Sequence, residues 1–127
     1  MTEMILPTVW TLIPEWAKPP LSLNDRGHWA VHAKKTAMVR DWACFAVTEA
    51  LIPPLRHCTV EMIWIVPDLV RRDAENPVAT LKPFCDGLVD GGLVPDDVPS
   101  WMTKVMPAIE FVRGQRGLRF EISGVPA

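Results

Sequence analysis

Hydrophobic and polar positions along the first half of the chain predict a strand and then a long helix. Residues Ile5 to Ile13 are apolar and β-branched, which is typical of a strand. After a loop rich in proline, apolar side chains recur at helical spacing, namely Val31, Met38, Trp42 and Phe45. This stripe predicts a helix from Trp29 to Ala50, which the prolines after Ile52 stop.

The second half predicts a strand, a helix and two further strands. Thr59 to Val66 has a strand pattern and ends at Pro67. Pro77 to Val89 predicts a second helix, kinked at Pro83, and the glycines at 91 and 92 end it. Trp101 to Val112 alternates loosely as a strand. A glycine-bounded hairpin turn then leads into Leu118 to Ser123, which alternates cleanly between apolar and polar residues.

The element order β-α-β-α-β-β indicates an α/β (α+β) fold, in which two helices pack on one mixed sheet. The 127 residues form a single domain, and 49% hydrophobic with 22% charged residues is ordinary for a globular protein. The three cysteines are odd in number and widely spaced, which predicts reduced thiols in an intracellular protein. The N-terminus has no basic segment, and no apolar run reaches membrane-spanning length. We therefore expect a cytoplasmic protein without a membrane partner.

Acidic residues crowd the middle of the chain. Between positions 73 and 97 the one base is Lys82, and the six acids are Asp73, Glu75, Asp86, Asp90, Asp96 and Asp97. Carboxylates this close repel one another, and Mg²⁺ or Mn²⁺ bound through their oxygens would offset the repulsion. Asp73 and Glu75 lie two residues apart, so an extended segment points both to one side. The alternative is structural, because Asn76 before Pro77 fits a helix cap and Pro-Asp-Asp fits a turn.

Basic residues precede these acids, although the net charge of the chain is −2. Residues 26 to 40 contain no acid. Four residues near the start of the first predicted helix form a candidate phosphate-binding region: Arg26, His28, Lys34 and Lys35. The alternative is a solvated charged face. His28 and His32 have the spacing of a zinc-binding helix, but Trp29 stands where a zinc protease has its glutamate, which argues against zinc. No glycine-rich phosphate loop is present, which argues against a nucleotide cofactor.

A combination of motifs resembles one family. The motifs are Leu23-Asn24 with His28-Trp29, then Arg71-Arg72-Asp73-Ala74-Glu75-Asn76, Lys82, Asp86-Gly87-Leu88, Gly91 and Asp96-Asp97. This series is similar to the RusA family of Holliday-junction resolvases. That family combines Arg-Asp-x-Asp-Asn, a helix with Lys and Asp-x-Leu, a Gly and a closing Asp-Asp. The order of strands and helices is also similar, so the resemblance covers nearly the whole chain.

The resemblance implies a homodimeric, Mg²⁺-dependent endonuclease that nicks two strands of a four-way DNA junction in recombination and repair. Such proteins occur in bacteria and their phages. The family's metal-binding acids fall on Asp73, Glu75, Asp96 and Asp97, of which Asp97 is the first choice in the closing pair. Glu75 replaces the usual Asp and lengthens that arm by one methylene, which bears on the metal geometry. The family's lysine falls on Lys82 when counted back from Asp86, although the segment after Asp73 is a few residues longer than usual.

Hydrolysis of a phosphodiester requires an activated water, groups that bind the phosphate and relief of the developing negative charge, and these residues could supply all three. Metal held by the carboxylates activates water and relieves charge, while Lys82 stabilises the added negative charge of the phosphorane. Arg71 and Arg72 bind neighbouring phosphates. The plainer interpretations are a solvated Lys82 paired with Asp86 and an exposed pair of loop arginines. Two other functions remain open: a Mg²⁺-dependent nuclease on other branched DNA, and a non-catalytic DNA-binding protein whose site Glu75 has spoiled.

A symmetric dimer would present two such sites to the paired strands of a junction, and two-fold dimers are the commonest oligomers. Two segments are the sequence-based candidates for its interface. They are the apolar strand Leu118 to Ile122 and the segment Trp101 to Met106.

Overall fold

A computed structural model describes residues 5 to 127 as one sheet with two helices. The elements are β1 (Thr8–Leu12), α1 (Trp29–Glu49), β2 (Leu55–Val66), α2 (Val78–Asp90), β3 (Met102–Lys104), β4 (Ala108–Phe111) and β5 (Gly117–Pro126). This arrangement is the single α+β domain that the sequence predicts. Neither helix in this range is long and apolar enough to cross a membrane.

The sheet is built around β2 and mixes parallel with antiparallel pairs. Its order is β1-β5-β2-β3, and β4 also pairs with β2. β5 runs antiparallel to both β1 and β2, whereas β3 and β4 run parallel to β2. The parallel pairing requires a crossover connection, which α2 supplies between β2 and β3.

The core forms where α2 packs on the sheet and α1 packs on α2. Phe84 of α2 stacks on Phe120 of β5, with the ring centroids 3.7 Å apart. The two helices approach closely at Gly87, where an added Cβ would meet the carbonyl oxygen of Arg40 and the Cβ of Ala43. This close crossing requires small residues, because any larger side chain would separate the helix backbones.

The apolar stripe that marks α1 in the sequence does not form the core of the fold. α1 instead buries Val39, Ala43, Ala46 and Val47, which are small enough for the close contact with α2. Val31, Met38 and Phe45 are exposed, with 52%, 42% and 61% of their surfaces accessible. Trp42 is half-buried between Trp16 and Phe84. The helix itself is confirmed within one residue at its end, but its orientation follows the small residues.

The predicted strand from Trp101 to Val112 is wrong as a single element, because it forms two short strands. β3 pairs with residues 58 to 60 of β2, and β4 pairs with residues 63 to 66 of the same strand. Pro107 lies between them and lacks the N–H that a continuous ladder needs. Other boundaries shift by a few residues: β1 spans only the residues that pair with β5, while β2 begins earlier and β5 ends later than predicted.

Two further expectations change once the elements are in place. The N-cap residue of α2, Pro77, has no side-chain cap, so Asn76 does not cap this helix, whereas the prediction that the helix continues through Pro83 is confirmed. β5 lies between β1 and β2, so the strand Leu118 to Ile122 has no free edge for a partner. The segment Trp101 to Met106 contains β3, which lies at the end of the strand order.

Candidate active site

A cleft of about 530 Å³ brings together segments that are far apart in the sequence. Its walls come from the loop before α1, from α1 itself, from β2 and from the loop after β2. Four basic side chains line it, against two acids: Lys18, Lys35, Arg71 and Arg72, with Asp25 and Asp73. Basic groups outnumber acids two to one, so the cleft favours an anionic ligand although the whole chain is slightly acidic.

Hydrogen bonds between the loop before α1 and the start of α2 fix one wall of the cleft. The buried Thr80 hydroxyl donates to the carbonyl oxygen of Leu21 at 2.7 Å and accepts from the N–H of Leu21 at 3.0 Å. The N–H of Leu23 donates to the carbonyl oxygen of Asn76 at 3.1 Å. The loop that carries Lys18 and Asp25 is therefore held against the segment that carries Asp73.

Arg72 shapes the opposite wall. Its guanidinium lies 2.8 Å from the carboxylate of Asp68, donates to the carbonyl oxygen of Val70 at 3.0 Å and sits over the ring of Trp64. The hydrogen bond from Arg72 holds the pKa of Asp68 below its usual value. Arg72 is therefore engaged in contacts within the protein, which position the loop. Arg71 next to it is exposed in the cleft.

Asp73 and Glu75 lie on the turn that leads into α2. The Oδ1 atom of Asp73 accepts the N–H of Glu75 at 2.9 Å, and the carbonyl oxygen of Glu75 accepts the N–H of Val78 at 3.0 Å. Both residues are exposed. Neither carboxylate belongs to an ion pair within residues 5 to 127, so their remaining oxygens are accessible to a ligand from solution.

Asp97 belongs to a second charged cluster. Its Oδ2 atom accepts from the Nζ of Lys82 and from the Nζ of Lys104, each at 2.7 Å. Lys82 also donates to Asp86 at 2.9 Å, one turn further along α2. The two lysines hold the pKa of Asp97 well below its usual value, with Lys104 the larger influence. Hydrogen bonds to Asp97 and then Asp86 raise the pKa of Lys82, which keeps its ammonium charged.

Asp96 has a local role in this cluster. Its Oδ1 atom accepts the N–H of Asp97 at 2.8 Å in the loop between α2 and β3. The chain bends at Pro95 and at Asp97. The two acids of the closing pair have different partners: Asp97 accepts hydrogen bonds from two lysines, and Asp96 accepts one from a backbone N–H.

The donor set for a divalent cation is small. Within residues 5 to 127, no group of three or more His, Cys, Asp and Glu side chains is arranged to hold a metal ion. Mg²⁺ needs fewer protein ligands than that, because it commonly binds one or two carboxylates and completes its shell with water and substrate phosphate. Asp73 and Glu75 are accessible oxygen donors on one turn, and of the two Asp73 lines the cleft, whereas the Oδ2 of Asp97 is occupied by two lysines.

The six residues predicted to bind DNA separate into two groups. Lys35, Arg71 and Arg72 line the cleft; the described residues that line it do not include Arg26, His28 or Lys34. His28 is the N-cap of α1, where its Nδ1 atom accepts the N–H of Ala30 at 3.1 Å. Adjacent lysines of a helix diverge by about 100°, which explains why Lys35 joins the cleft and Lys34 does not.

Sequence reasoning missed three residues of this region. Lys18 and Trp64 line the cleft, and Lys104 pairs with Asp97. Lys18 stands directly before two prolines, which restrict the backbone conformation of that loop. These prolines were the one sequence feature that could have indicated a fixed position for Lys18. Trp64 lies on the inward-facing side of β2. Lys104 lies seven residues after Asp97 on β3, which the sequence pattern does not separate from the rest of the predicted strand Trp101 to Val112.

Comparisons with known proteins do not assign the chain to a family. A scan of protein-family models gives no match, and neither does a search of curated protein sequences.

Proposed function

We propose that this protein is a Mg²⁺-dependent, structure-specific endonuclease that resolves four-way DNA junctions, as the resemblance to the RusA family implies. One observation carries the proposal. Lys35 of α1 and Arg71 of the loop after β2 meet in one cleft, and Asp73 lines the same cleft. A carboxylate beside two phosphate-binding side chains is the arrangement that metal-assisted phosphodiester cleavage requires.

The cleft binds the DNA backbone rather than the bases. Lys18, Lys35 and Arg71 neutralise successive phosphates, and such contacts set the position of the nucleic acid without reading its sequence. Arg72 supports this surface indirectly, because its ion pair with Asp68 and its position over Trp64 hold the loop that presents Arg71.

The chemistry divides between the two acidic clusters. Asp73 and Glu75 would hold Mg²⁺, which would supply an activated water and charge relief at the phosphate. Lys82 is not among the described residues that line the cleft. The resemblance assigns it the stabilisation of the negative charge that develops on the phosphate, and Asp86 with Asp97 keeps its ammonium charged and oriented. Asp97 is thus a positioning residue for Lys82, a role different from the metal ligand that the resemblance alone implies.

A two-fold dimer supplies the second cut. One chain carries one such cleft and one such turn, so it nicks one strand at a time. Productive resolution of a four-way junction needs paired nicks in two strands, and two-fold symmetry places two identical sites in matching orientation.

The test is cleavage of a panel of end-labelled DNA structures of the same sequence: a four-way junction, a flap, a fork and a linear duplex. Each is incubated with Mg²⁺, with Mn²⁺ and with EDTA. We expect paired nicks near the branch point of the four-way junction with either metal, and none with EDTA. Preferred cleavage of the flap or fork would instead indicate a nuclease for other branched DNA. Binding of the junction without cleavage in any metal would indicate a non-catalytic DNA-binding protein.

A further inference from the structure

The exposed apolar stripe of α1 remains without a role in the fold or in the proposed site. Val31, Met38 and Phe45 are spaced seven residues apart and are each more than two-fifths accessible. Seven residues are nearly two helical turns, so the three side chains drift by only about 20° per step and lie on one line, about 10 Å apart along the helix axis. From Val31 to Phe45 the row is therefore about 20 Å long, and it runs beside the face of α1 that is buried on α2.

We propose that a second copy of this chain packs on this stripe, with the two α1 helices antiparallel and Met38 at the two-fold axis. In that pairing Val31 of one chain lies opposite Phe45 of the other, so the row covers itself. Exposed apolar residues aligned on one face of a helix mark a surface that another protein can cover. The occupant is inferred from self-complementarity, which a two-fold interface requires.

Charges beside the stripe also complement each other in this arrangement. Lys34 and Asp41 lie on the same flank of the row, about 40° and 60° from Met38 around the helix. A two-fold axis through Met38 brings Lys34 of each copy opposite Asp41 of the other, which forms two symmetric ion pairs. Within residues 5 to 127 neither side chain has an ion-pair partner in its own chain. In a parallel pairing Lys34 and Asp41 of one chain would lie on the opposite side of the interface from those of the other, so these ion pairs would not form.

The inference of this interface rests on the proposed function only in the role that it gives the dimer, which is to bring two nuclease sites together. Lys35 follows Lys34 in the chain and lines the DNA cleft, so the interface adjoins the cleft along the same helix. The surface also replaces the strand Leu118 to Ile122 as the dimer interface, because that strand has no free edge.

Sedimentation equilibrium at micromolar concentration tests the interface with two matched variants. Met38→Glu places two like charges against each other at the two-fold axis, and we expect the dimer dissociation constant to rise by about 100-fold or more. Ala33→Glu adds the same charge to an exposed position about 140° away and should leave the dimer intact. A monomeric parent, or a Met38→Glu variant that stays as dimeric as the parent, would overturn the inference.

A charge exchange tests the antiparallel direction independently. Lys34→Glu should weaken the dimer by about 10-fold, because it turns two attractive pairs into two repulsive ones. Adding Asp41→Lys should restore the parent's dissociation constant. Failure of the double variant to recover would contradict the pairing, since both single changes are on exposed positions that the fold tolerates.

Engineered disulfides give the register. In a background with Cys44→Ser, the remaining cysteines at 58 and 85 are buried, so an introduced thiol reacts alone. Met38→Cys should cross-link to itself on oxidation. Phe45→Cys should not, because an antiparallel pairing separates its two copies by about 20 Å, but it should cross-link to Val31→Cys in a mixture. Self-linking of Phe45→Cys with failure of Met38→Cys would show a parallel pairing and overturn the proposal.

These outcomes separate the interface from the activity. A parent that is dimeric through α1 but cuts no DNA leaves the interface in place and removes the nuclease. A parent that resolves junctions as a monomer, or as a dimer that Met38→Glu does not disturb, keeps the nuclease and removes this interface.

Discussion

Asp97 balances two lysines, and this makes its contribution to stability depend on pH. Its folded-state pKa is lowered, chiefly by Lys104 and then Lys82. A carboxylate of this kind stabilises the fold above its unfolded pKa of about 3.9, and the stabilisation is lost as pH falls through the folded value. The pKa of Lys82 is raised, so its contribution is present below the unfolded value of about 10.4 and is lost as pH rises through the folded one.

Asp97→Asn should therefore lower the free energy of unfolding at pH 7 by about 1–2 kcal/mol, since both ion pairs are partly screened by solvent. Urea denaturation of parent and variant over a pH series measures the difference. We expect the gap to close progressively below about pH 4, where the carboxylate of the unfolded chain protonates before that of the folded one. A gap that stays constant down to pH 2 would mean that the charge of Asp97 does not stabilise the fold.

Glu75 tests whether the turn before α2 binds metal through both carboxylates. Glu75→Asp should retain cleavage and even raise it, because the shorter arm matches the carboxylate usual in the RusA family. Glu75→Gln keeps the shape but removes the charge, and we expect cleavage to fall by about 100-fold. Rates at several Mg²⁺ concentrations measure both variants. Parent-like cleavage by Glu75→Gln would remove Glu75 from the set of metal ligands.

At the scale of elements, the contact between α1 and α2 depends on a missing side chain. An added Cβ at Gly87 would meet the backbone oxygen of Arg40, and backbone cannot move aside cheaply. Gly87→Ala should destabilise the fold by about 1–3 kcal/mol, although alanine favours helices more than glycine does. Gly27→Ala is the control, because nothing lies within 4 Å of its added Cβ. Thermal or urea unfolding compares the two, and equal stability for both variants would contradict a tight helix crossing.

The elements were predictable where local pattern decides them. The helix beginning at Trp29, the helix after Pro77 and the final strand follow from periodicity and from prolines and glycines at their ends. The orientation of α1 was not predictable in this way, because large apolar residues normally face the core. Here the close crossing at Gly87 selects the small residues Ala43 and Ala46 instead. The orientation of α1 therefore depends on the contact between Gly87 and Ala43, which are 44 residues apart in the chain. The hydrophobic periodicity of α1 alone contains no information about that contact.

The candidate site was predictable in its chemistry and less so in its geometry. The acids and arginines between 71 and 97 stand together in the sequence, and their types indicate metal and phosphate. Their partners come from elsewhere: Lys18 from a loop tied to α2 through Thr80, and Lys104 from a strand paired with β2. Only the tertiary fold brings these together, so the pairing of Asp97 with Lys104 had no sequence signal.

The charge distribution of the whole molecule determines how DNA binding responds to salt. Lys18 and Lys35 line the cleft, whereas Arg26 is exposed outside it. Lys18→Ala and Lys35→Ala should each weaken junction binding and reduce the slope of log affinity against log salt by about one unit. Arg26→Ala is the matched control and should leave the slope unchanged. Fluorescence anisotropy over a salt series measures all three, and equal slopes for every variant would place the DNA on another surface.

The most direct test of the central claim compares the parent with Asp73→Asn on one labelled four-way junction, with cleavage and binding measured in the same Mg²⁺ buffer. Asp73→Asn preserves the size of the side chain and the oxygen that accepts the N–H of Glu75. The account predicts paired nicks by the parent, a loss of about 100-fold or more in cleavage by the variant, and junction binding within about twofold, because phosphate contacts come from the basic residues. Cleavage by Asp73→Asn at the parent's rate would contradict it.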